Sequence, residues 1–247
     1  MSGKDKLRRF RENATFKCLL QPSFEEVYEK DFRFKGKWRK EIFGNDNPII
    51  LELGCGKGEY TVSMAQAFPD KNFIGMDIKG ARLWKGAKYV EEHSIGNAIF
   101  IRSRIEFITA FFAKGEIDEI WITFADPQLG KARKRLTGSM FLNRYTEILK
   151  KNGIINLKTD SKYLYNYTLA AATQNGLGII EAEDDIYGNE KGSGILGIKT
   201  FYETNFLKIG LPIQYLSFHL ETEKRYGEPE WDEDFWLKEE EKGRKAK

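Results

Sequence analysis

Short apolar runs alternate with segments of helical periodicity from residue 48 onwards. The apolar runs predict strands at residues 48–53, 72–77, 97–102, 117–124, 153–158, 178–183 and 213–220. The periodic segments predict helices at residues 58–67, 80–92, 104–113, 139–150 and 161–175. In the second helix, Leu83, Ala87 and Val90 fall on one face. This alternation predicts an α/β fold with a mostly parallel sheet covered by helices on both faces.

The two ends of the chain differ from this core in composition. Residues 1–47 are polar, basic and irregular with scattered aromatic side chains, and we expect a basic N-terminal arm that packs partly on a domain at residues 48–222. Residues 223–247 form a charged C-terminal tail that is low in aliphatic side chains, so its extreme end is expected to fray. Within this tail, Trp231 and Trp236 are expected to dock on the domain.

The net charge is only +3, but the charge is unevenly distributed. Residues 1–40 hold 12 Lys or Arg and 6 Asp or Glu, whereas residues 221–241 hold 10 acids and 3 bases. The run KARKR at residues 131–135 adds a second basic segment. Such a distribution indicates a basic face that meets phosphates, although an ordinary solvated surface explains charge runs equally well.

Composition excludes several classes of protein. Two cysteines, Cys18 and Cys55, rule out a disulfide framework, and two histidines without a C-x-x-C pair predict no metal site. No apolar run is long enough to span a bilayer, and the basic start is not followed by the apolar segment of a signal peptide. We therefore expect a cytoplasmic protein with no membrane partner.

The most informative motif is IILELGCGKGEY, in which an apolar strand runs into Gly54, Gly56 and Gly58. A strand that ends in glycines and continues into a helix brings backbone close to a nucleotide-like ligand. A dinucleotide fingerprint requires a third glycine at position 59, which is Glu59, so that interpretation fails on spacing. With the preceding acid Glu52, the pattern E-x-G-x-G-x-G resembles motif I of the class I S-adenosylmethionine methyltransferases.

Two further positions agree with a nucleoside cofactor. Asp77 ends the second predicted strand at a spacing after Gly58 that suits an acceptor for the ribose hydroxyls. The competing interpretation of Asp77 is an N-cap for the helix that starts near Gly80. Ser103 follows the third strand and is a candidate for the adenine side.

The fourth strand ends in Asp126-Pro127, at the edge of the sheet where open α/β folds bind ligands. The proline biases Asp126 toward an extended backbone, and its carboxylate suits a flat substrate that donates hydrogen bonds. An ordinary turn aspartate at the end of a strand is the competing interpretation. The KARKR run that follows would surround the mouth of the site with positive charge, which suits a polyanion.

Five stretches within residues 48–206 together resemble the bacterial tRNA (guanine-N7)-methyltransferase family. They are LELGCGKGEYT, FIGMDIKGARLWKGAK, FADPQLGKARKRLT, NLKTDS and KTFYETNF. The resemblance implies a class I methyltransferase fold, a Rossmann-like three-layer sandwich whose mostly parallel seven-stranded sheet has an antiparallel last strand. It also implies S-adenosylmethionine as methyl donor, S-adenosylhomocysteine as product, no metal, and tRNA as partner, methylated at N7 of a variable-loop guanine. No obligatory protein partner is indicated, and both a monomer and a homodimer remain open.

The resemblance also assigns site residues. It places Asp126 as the catalytic acid. The residues it implies for the cofactor are Glu52, Gly54, Gly56, Gly58, Asp77, Ser103 and Asp126. The residues it implies for the guanosine substrate are Lys131, Asp160, Thr200, Phe201, Tyr202 and Glu203.

The chain departs from the family pattern close to Asp126. Family members often read F-P-D-P-W followed by lysine, whereas this chain has Ala125, Gln128 and Gly130, with Lys131 as the nearest replacement for the lysine. Ser103 stands where many members have Asp. Two alternatives therefore stay open: a methyltransferase with another substrate, and a non-catalytic tRNA-binding member of the fold.

Overall fold

The computed structural model describes residues 3–245 and divides into two compact units, one up to Ile120 and one from Trp121. The strands are β1 Leu19–Leu20, β2 Ile49–Leu53, β3 Asn72–Asp77, β4 Ala98–Arg102, β5 Ile117–Thr123, β6 Leu149–Thr159, β7 Gly178–Glu183 and β8 Gln214–Leu220. The α-helices are α1 Gly3–Asn13, α2 Glu59–Ala67, α3 Gly80–Glu92, α4 Ile108–Phe111, α5 Ser139–Tyr145, α6 Lys162–Gln174, α7 Phe201–Lys208 and α8 Glu233–Lys245. The remaining helical turns are Trp38–Phe43, Ile105–Phe107, Ala132–Lys134 and Gly194–Gly197.

Within the first unit, β1, β4, β3 and β2 pair in parallel. β3 is central, and its Gly75 lies opposite Glu52 on β2 and Phe100 on β4. Much of the predicted arm is packed against this sheet and its helices. Trp38 is fully buried and donates its indole N–H to the Phe111 carbonyl at 2.8 Å. Trp38 and Phe32 of the arm therefore belong to the core of this unit, whereas Phe24 and Tyr28 are exposed.

Helix α1 packs on α3, also within the first unit. The Asn13 side-chain amide donates to the Gly80 carbonyl at 2.8 Å, and the Trp84 indole N–H donates to Glu12 at 2.6 Å. The Arg9 guanidinium lies over the Trp84 ring at 4.5 Å. The basic start of the chain is thus helical, whereas its sequence indicated irregular structure.

Within the second unit, β8 pairs antiparallel with both β6 and β7. Helix α6 contacts both β8 and α8. Tyr163 and Tyr167 of α6 are fully buried between these elements. The antiparallel last strand that the resemblance implied is confirmed.

The expected seven-stranded sheet is corrected to eight strands, in the order β1-β4-β3-β2-β5-β6-β8-β7. The additional strand is β1, whose Leu19 and Leu20 pair with Phe100 and Ile101. A strand of two residues is too short to show periodicity, and it forms because the edge of β4 offers backbone partners. We find no helix in residues 3–245 that combines the length and the apolar character needed to cross a bilayer.

Two predicted helices are shorter than expected. Residues 104–113 contain a single 3₁₀ turn followed by the four-residue α4. The helix predicted for residues 139–150 ends at Tyr145, because the chain enters β6 at Leu149. The β-structure that begins at Leu149 depends on tertiary context, which local periodicity does not register.

The predicted tail contains the helix α8, and residues 1–2 and 246–247, at the ends of the predicted arm and tail, lie outside the described part. Trp231 lies edge-on against Tyr163 and Tyr167, with ring centroids 5.5 and 5.4 Å apart, and it stacks on Trp236 at 5.1 Å. The predicted docking is therefore confirmed for Trp231, which contacts α6, whereas Trp236 packs on Trp231 within the tail. The domain limits at 48 and 222 stay a prediction.

Candidate active site

The glycine loop of the first unit connects β2 to α2. Gly54, Gly56 and Gly58 all have positive φ, at 73°, 57° and 71°. At Gly58 a side chain is also excluded sterically, because a Cβ there would lie 2.5 Å from the Phe100 ring. Gly56 thus supplies conformational freedom, and Gly58 additionally allows the start of α2 to approach β4 closely. Because the glycines carry no side chain, a loop of this kind lets a ligand approach its backbone closely.

Asp77 at the end of β3 is bonded to this loop. Its Oδ2 accepts the Gly56 N–H at 2.9 Å, and its Oδ1 accepts the Lys79 N–H at 2.7 Å. The residue in the N-cap position of α3 is Lys79, so Asp77 is not the helix cap itself. A carboxylate oxygen has two lone pairs, so both oxygens of Asp77 retain capacity to accept hydroxyl groups. This geometry is compatible with the ribose role predicted for Asp77.

Glu52 lies near the end of β2, just before the glycine loop, and is buried. It is 1% exposed and accepts a hydrogen bond from the Thr61 hydroxyl of α2. This contact ties the end of β2 to the helix that follows the loop. A direct contact between Glu52 and a cofactor stays a prediction.

Ser103 lies beside a cavity of about 350 Å³ at the carboxyl ends of β3 and β4. Ile78, Arg102 and Phe107 line the same cavity, and residues 21–24 of the N-terminal segment line it as well. A volume of this order is within the usual range for small-ligand sites, about 300–1,000 Å³. The contribution of residues 21–24 was missed from the sequence, since no motif marks them. The only signal was the aromatic content of that segment.

Replacing Asp77 with Ala is expected to weaken binding of S-adenosylmethionine by roughly tenfold to a hundredfold, the usual worth of hydrogen bonds to a charged group. The Gly56 N–H would also lose its acceptor, which loosens the loop. Isothermal titration calorimetry measures the change directly. Asp70→Ala, an exposed acid of the same unit, is the matched control. Equal affinity of the two variants would contradict the cofactor role of Asp77.

In the second unit, Asp126 follows β5 in a strained turn. Its side chain is exposed, and its Oδ1 accepts the Gln128 N–H at 2.9 Å. Phe124 and Gln128, on either side of Asp126, are non-glycine residues with φ of 51° and 52°. The Phe124 N–H donates to the Lys158 carbonyl at 2.9 Å, which helps to hold the turn. Because backbone strain of this kind concentrates at functional sites, the turn is a good candidate for one.

The basic side chains that follow this turn differ in their exposure. Lys131, Arg133 and Lys134 are exposed, whereas Arg135 is completely buried. Its guanidinium lies 3.9 Å from the Tyr167 ring centroid and donates to the carbonyls of residues 127 and 128 at 3.0 and 3.2 Å. The expectation that all four bases surround the mouth of the site is therefore corrected to three. Arg135 holds the loop together instead.

Asp160 follows β6 and is half-buried immediately before α6. The Ser161 hydroxyl accepts the Leu164 N–H at 3.1 Å and caps this helix. The helix ends at Gln174, shortly before Gly176, which has a φ of 66°. Asp160 therefore lies at the junction between β6 and α6.

The four residues from Thr200 to Glu203 divide into buried and exposed pairs. Thr200 and Glu203 form a capping box at the start of α7, in which the Glu203 N–H donates to the Thr200 hydroxyl at 3.1 Å. Phe201 and Tyr202 are exposed and contact each other edge to face at 5.9 Å. Contact of any of the four with guanosine stays a prediction.

Glu203 is fully buried and paired with Lys158 of β6, whose Nζ lies 2.7 Å from its carboxylate. The Tyr187 hydroxyl donates to the same carboxylate at 2.7 Å. Lys158 also donates to the carbonyls of Leu196 and Ile198 at 2.7 and 2.9 Å. Burial lowers the pKa of Lys158, and the ion pair with Glu203 opposes that shift. The sequence signal for this pair was a single lysine in the predicted strand IINLKT.

Comparison with known proteins agrees with these features. Residues 46–216 match a family described as "Putative methyltransferase". A tRNA (guanine-N(7)-)-methyltransferase of Christiangramia forsetii is 51% identical over 223 residues, which cover 89% of this chain and 100% of that protein. The chain belongs to the tRNA (guanine-N(7)-)-methyltransferase family. The family member of Bacteroides fragilis is 48% identical over 228 residues, covering 92% of this chain and 90% of that protein.

The solved structure of the 16S rRNA methyltransferase KamB has a TM-score of 0.57 to this chain. It is 12% identical and covers 74% of this chain and 92% of its own, so the likeness concerns the fold alone. The fold is that of the class I methyltransferases, as the sequence resemblance implied. The family resemblance stated from the motifs is likewise confirmed.

One departure from the pattern of the tRNA (guanine-N(7)-)-methyltransferase family has a structural reason. Gly130 stands at a frequent lysine position and has a φ of 66°. Its N–H donates to Glu233 Oε1 at 2.7 Å. A lysine at this position would be strained, because side chains disfavour left-handed backbone. The loop of this chain is therefore built around Gly130, with Lys131 exposed beside it.

Proposed function

We propose that this protein transfers the methyl group of S-adenosylmethionine to N7 of a guanine in tRNA, at the variable-loop position 46. The observation that carries the proposal is the strained, exposed turn at Asp126 followed by the exposed bases Lys131, Arg133 and Lys134. The family relatives support the same activity, since they are named for it. We propose further that the protein acts in the cytoplasm, as a monomer or homodimer without an obligatory protein partner.

The residues of the first unit fit S-adenosylmethionine. The positive-φ glycines at Gly54, Gly56 and Gly58 let a ligand approach the backbone closely, and the oxygens of Asp77 retain lone pairs that can accept ribose hydroxyls. The cavity beside Ser103 is lined by apolar and polar groups suited to a nucleobase. When bound, the sulfonium compound supplies an electrophilic methyl group.

The reaction needs no general base, because guanine N7 carries a lone pair and no proton. During transfer the positive charge moves from the sulfonium to the guanine ring. A carboxylate at Asp126 favours this developing charge and accepts hydrogen bonds from the N–H edge of the base. Asp160, at the neighbouring strand end, is a second candidate for that edge. Holding N7 in line with the methyl group accounts for much of the remaining acceleration.

The deciding experiment incubates the protein with labelled S-adenosylmethionine and unmodified tRNA, followed by borohydride–aniline cleavage at N7-methylguanine. Cleavage at a single variable-loop guanine is the expected result. Binding of tRNA with a steep salt dependence but no label would support the non-catalytic alternative. Label in a small molecule or a protein, with none in tRNA, would support a different acceptor.

Replacing Lys131, Arg133 and Lys134 with Ala together is expected to raise the KM for tRNA and to flatten its salt dependence. Each phosphate contact that is lost should lower the slope of log K against log salt by about 0.7–0.9. Initial rates at several salt concentrations measure both effects. The control is Lys150→Ala/Lys151→Ala, which removes exposed bases at the amino end of β6. If both variants keep the wild-type salt slope, tRNA binds elsewhere.

A further inference from the structure

The acidic tail contacts the loop that follows Asp126, and Glu233 is the central contact. Its Oε1 accepts the Gly130 N–H at 2.7 Å and the Tyr163 hydroxyl at 2.5 Å. The Arg135 guanidinium, which itself holds the carbonyls of residues 127 and 128, lies 3.7 Å from the same carboxylate. One side chain of the tail thus meets both ends of the 130–135 segment.

Two further tail residues, Glu228 and Glu240, form hydrogen bonds with neighbouring segments of the second unit. Glu228 accepts the backbone N–H and the hydroxyl of Ser139, at 2.9 and 2.6 Å, and also the Tyr167 hydroxyl. These bonds fix the start of α5, which follows the basic loop. Burial by itself would raise the pKa of Glu228, but the hydrogen bonds from Ser139 and Tyr167 outweigh it and lower the pKa.

Glu240 forms similar hydrogen bonds at the junction between β6 and α6. It is 7% exposed and accepts the Ser161 hydroxyl and the Tyr163 N–H, both at 2.9 Å. Ser161 directly follows Asp160 and caps α6. The tail therefore supplies a charged acceptor to the first turn of this helix, where N–H groups lack partners within the helix.

Aromatic packing fixes the tail itself. Trp231 sits edge-on against Tyr163 and Tyr167 and stacks on Trp236. The Tyr226 backbone forms two hydrogen bonds with the Asn143 side chain, at 2.8 and 2.9 Å. Because these contacts hold the tail in place, its hydrogen bonds can restrain the loops that it contacts.

We propose that residues 226–240 are a brace that sets the shape of the Asp126–Arg135 loop and of the Asp160–Ser161 junction, with Glu233 and Glu240 as positioning residues for methyl transfer. The functional part of this inference rests on the proposed function. Its structural basis is that each glutamate bonds a segment predicted to hold the guanine, Glu233 the loop at Gly130 and Glu240 the junction at Ser161. The acidic tail thereby helps to position the residues that carry out methyl transfer.

The test is native-state trypsin cleavage after Lys131, Arg133 and Lys134 in the full-length protein. Glu233→Ala should raise the cleavage rate at these bonds roughly tenfold or more, because the Gly130 N–H and Arg135 lose a charged partner. Glu233→Gln should be intermediate, since its amide oxygen still accepts the N–H without the charge. Asp234→Ala, an exposed acid next in the chain, should cleave like wild type.

Kinetics complete the test. Glu233→Ala should lower kcat for tRNA methylation about tenfold or more through misplacement of the loop, with the affinity for S-adenosylmethionine unchanged and partial recovery in Glu233→Gln. Wild-type cleavage and wild-type kcat in both Glu233 variants would overturn the brace. If Glu233→Ala does not fold, the Glu233→Gln variant decides by the same two measurements. A wild-type protein that methylates no tRNA would instead overturn the proposed function, and the cleavage comparison would still decide the structural part.

Discussion

Asp126→Asn is expected to lower kcat for methyl transfer to tRNA by about 10²–10³-fold, the scale seen when one preorganised electrostatic contact to a transition state is removed. The reason is charge, because the ring of the guanine becomes cationic as N7 takes the methyl group. An amide has nearly the shape of the carboxylate, and its oxygen can still accept the Gln128 N–H that Asp126 accepts at 2.9 Å. The turn should therefore keep its conformation while losing the negative charge.

Three measurements isolate this effect. Single-turnover rates with saturating tRNA report the chemical step, calorimetry reports the affinity for S-adenosylmethionine, and thermal unfolding reports the fold. Asp234→Asn, an exposed acid on α8, is the control for loss of one charge. A wild-type single-turnover rate in Asp126→Asn would assign Asp126 the ordinary role of a turn residue. A large loss of thermal stability in this variant would point the same way.

Lys158→Met is expected to lower the free energy of unfolding by about 3–5 kcal/mol, because removing one member of a buried ion pair leaves an uncompensated charge. Both Lys158 and Glu203 have fully buried side chains. After the substitution, Glu203 keeps the Tyr187 hydroxyl and the Thr200 N–H as partners but loses its ion pair with Lys158. The carbonyls of Leu196 and Ile198 also lose their donor. Urea unfolding followed by circular dichroism gives the value.

The double variant Lys158→Met/Glu203→Met tests whether the loss of stability comes from breaking the ion pair. Replacing both members of a buried pair with apolar residues is often neutral or stabilising, so the double variant should be more stable than Lys158→Met alone. If the losses of stability in Lys158→Met and in Glu203→Met simply add up in the double variant, the two residues are not coupled. Because Glu203 is part of this core, its predicted contact with guanosine has to be tested in variants whose stability is known.

The candidate site was predictable where its chemistry follows local spacing. The glycine spacing and the position of Asp77 at the end of a strand pointed to a nucleoside cofactor, and the structure places Asp77 in hydrogen-bond contact with Gly56. The strand before Asp126 was likewise visible as an apolar run, and it ends at Thr123. Positions of this kind depend on neighbours close in the chain, whose order the sequence displays directly.

Burial within charged segments was not predictable in the same way. Arg135 belongs to the same basic run as Lys134, yet only Lys134 is exposed, because Tyr163 and Tyr167 stack on the guanidinium from a distant helix. Glu203, which the resemblance implies for the substrate, is also a core acid, since Lys158 pairs with it from β6. In each case the deciding partner lies tens of residues away in the chain.

The sequence by itself determined the α/β alternation, the glycine loop, the acids at the strand ends and the family. These features arise from periodicity and short spacing, which a linear chain contains in full. Only the tertiary structure decided that β1 joins the sheet, that Arg135 is buried, and that the tail reaches the loop through Glu233 and Gly130. The physical reason is that burial and charge pairing are properties of surroundings assembled from distant segments, which no local pattern records.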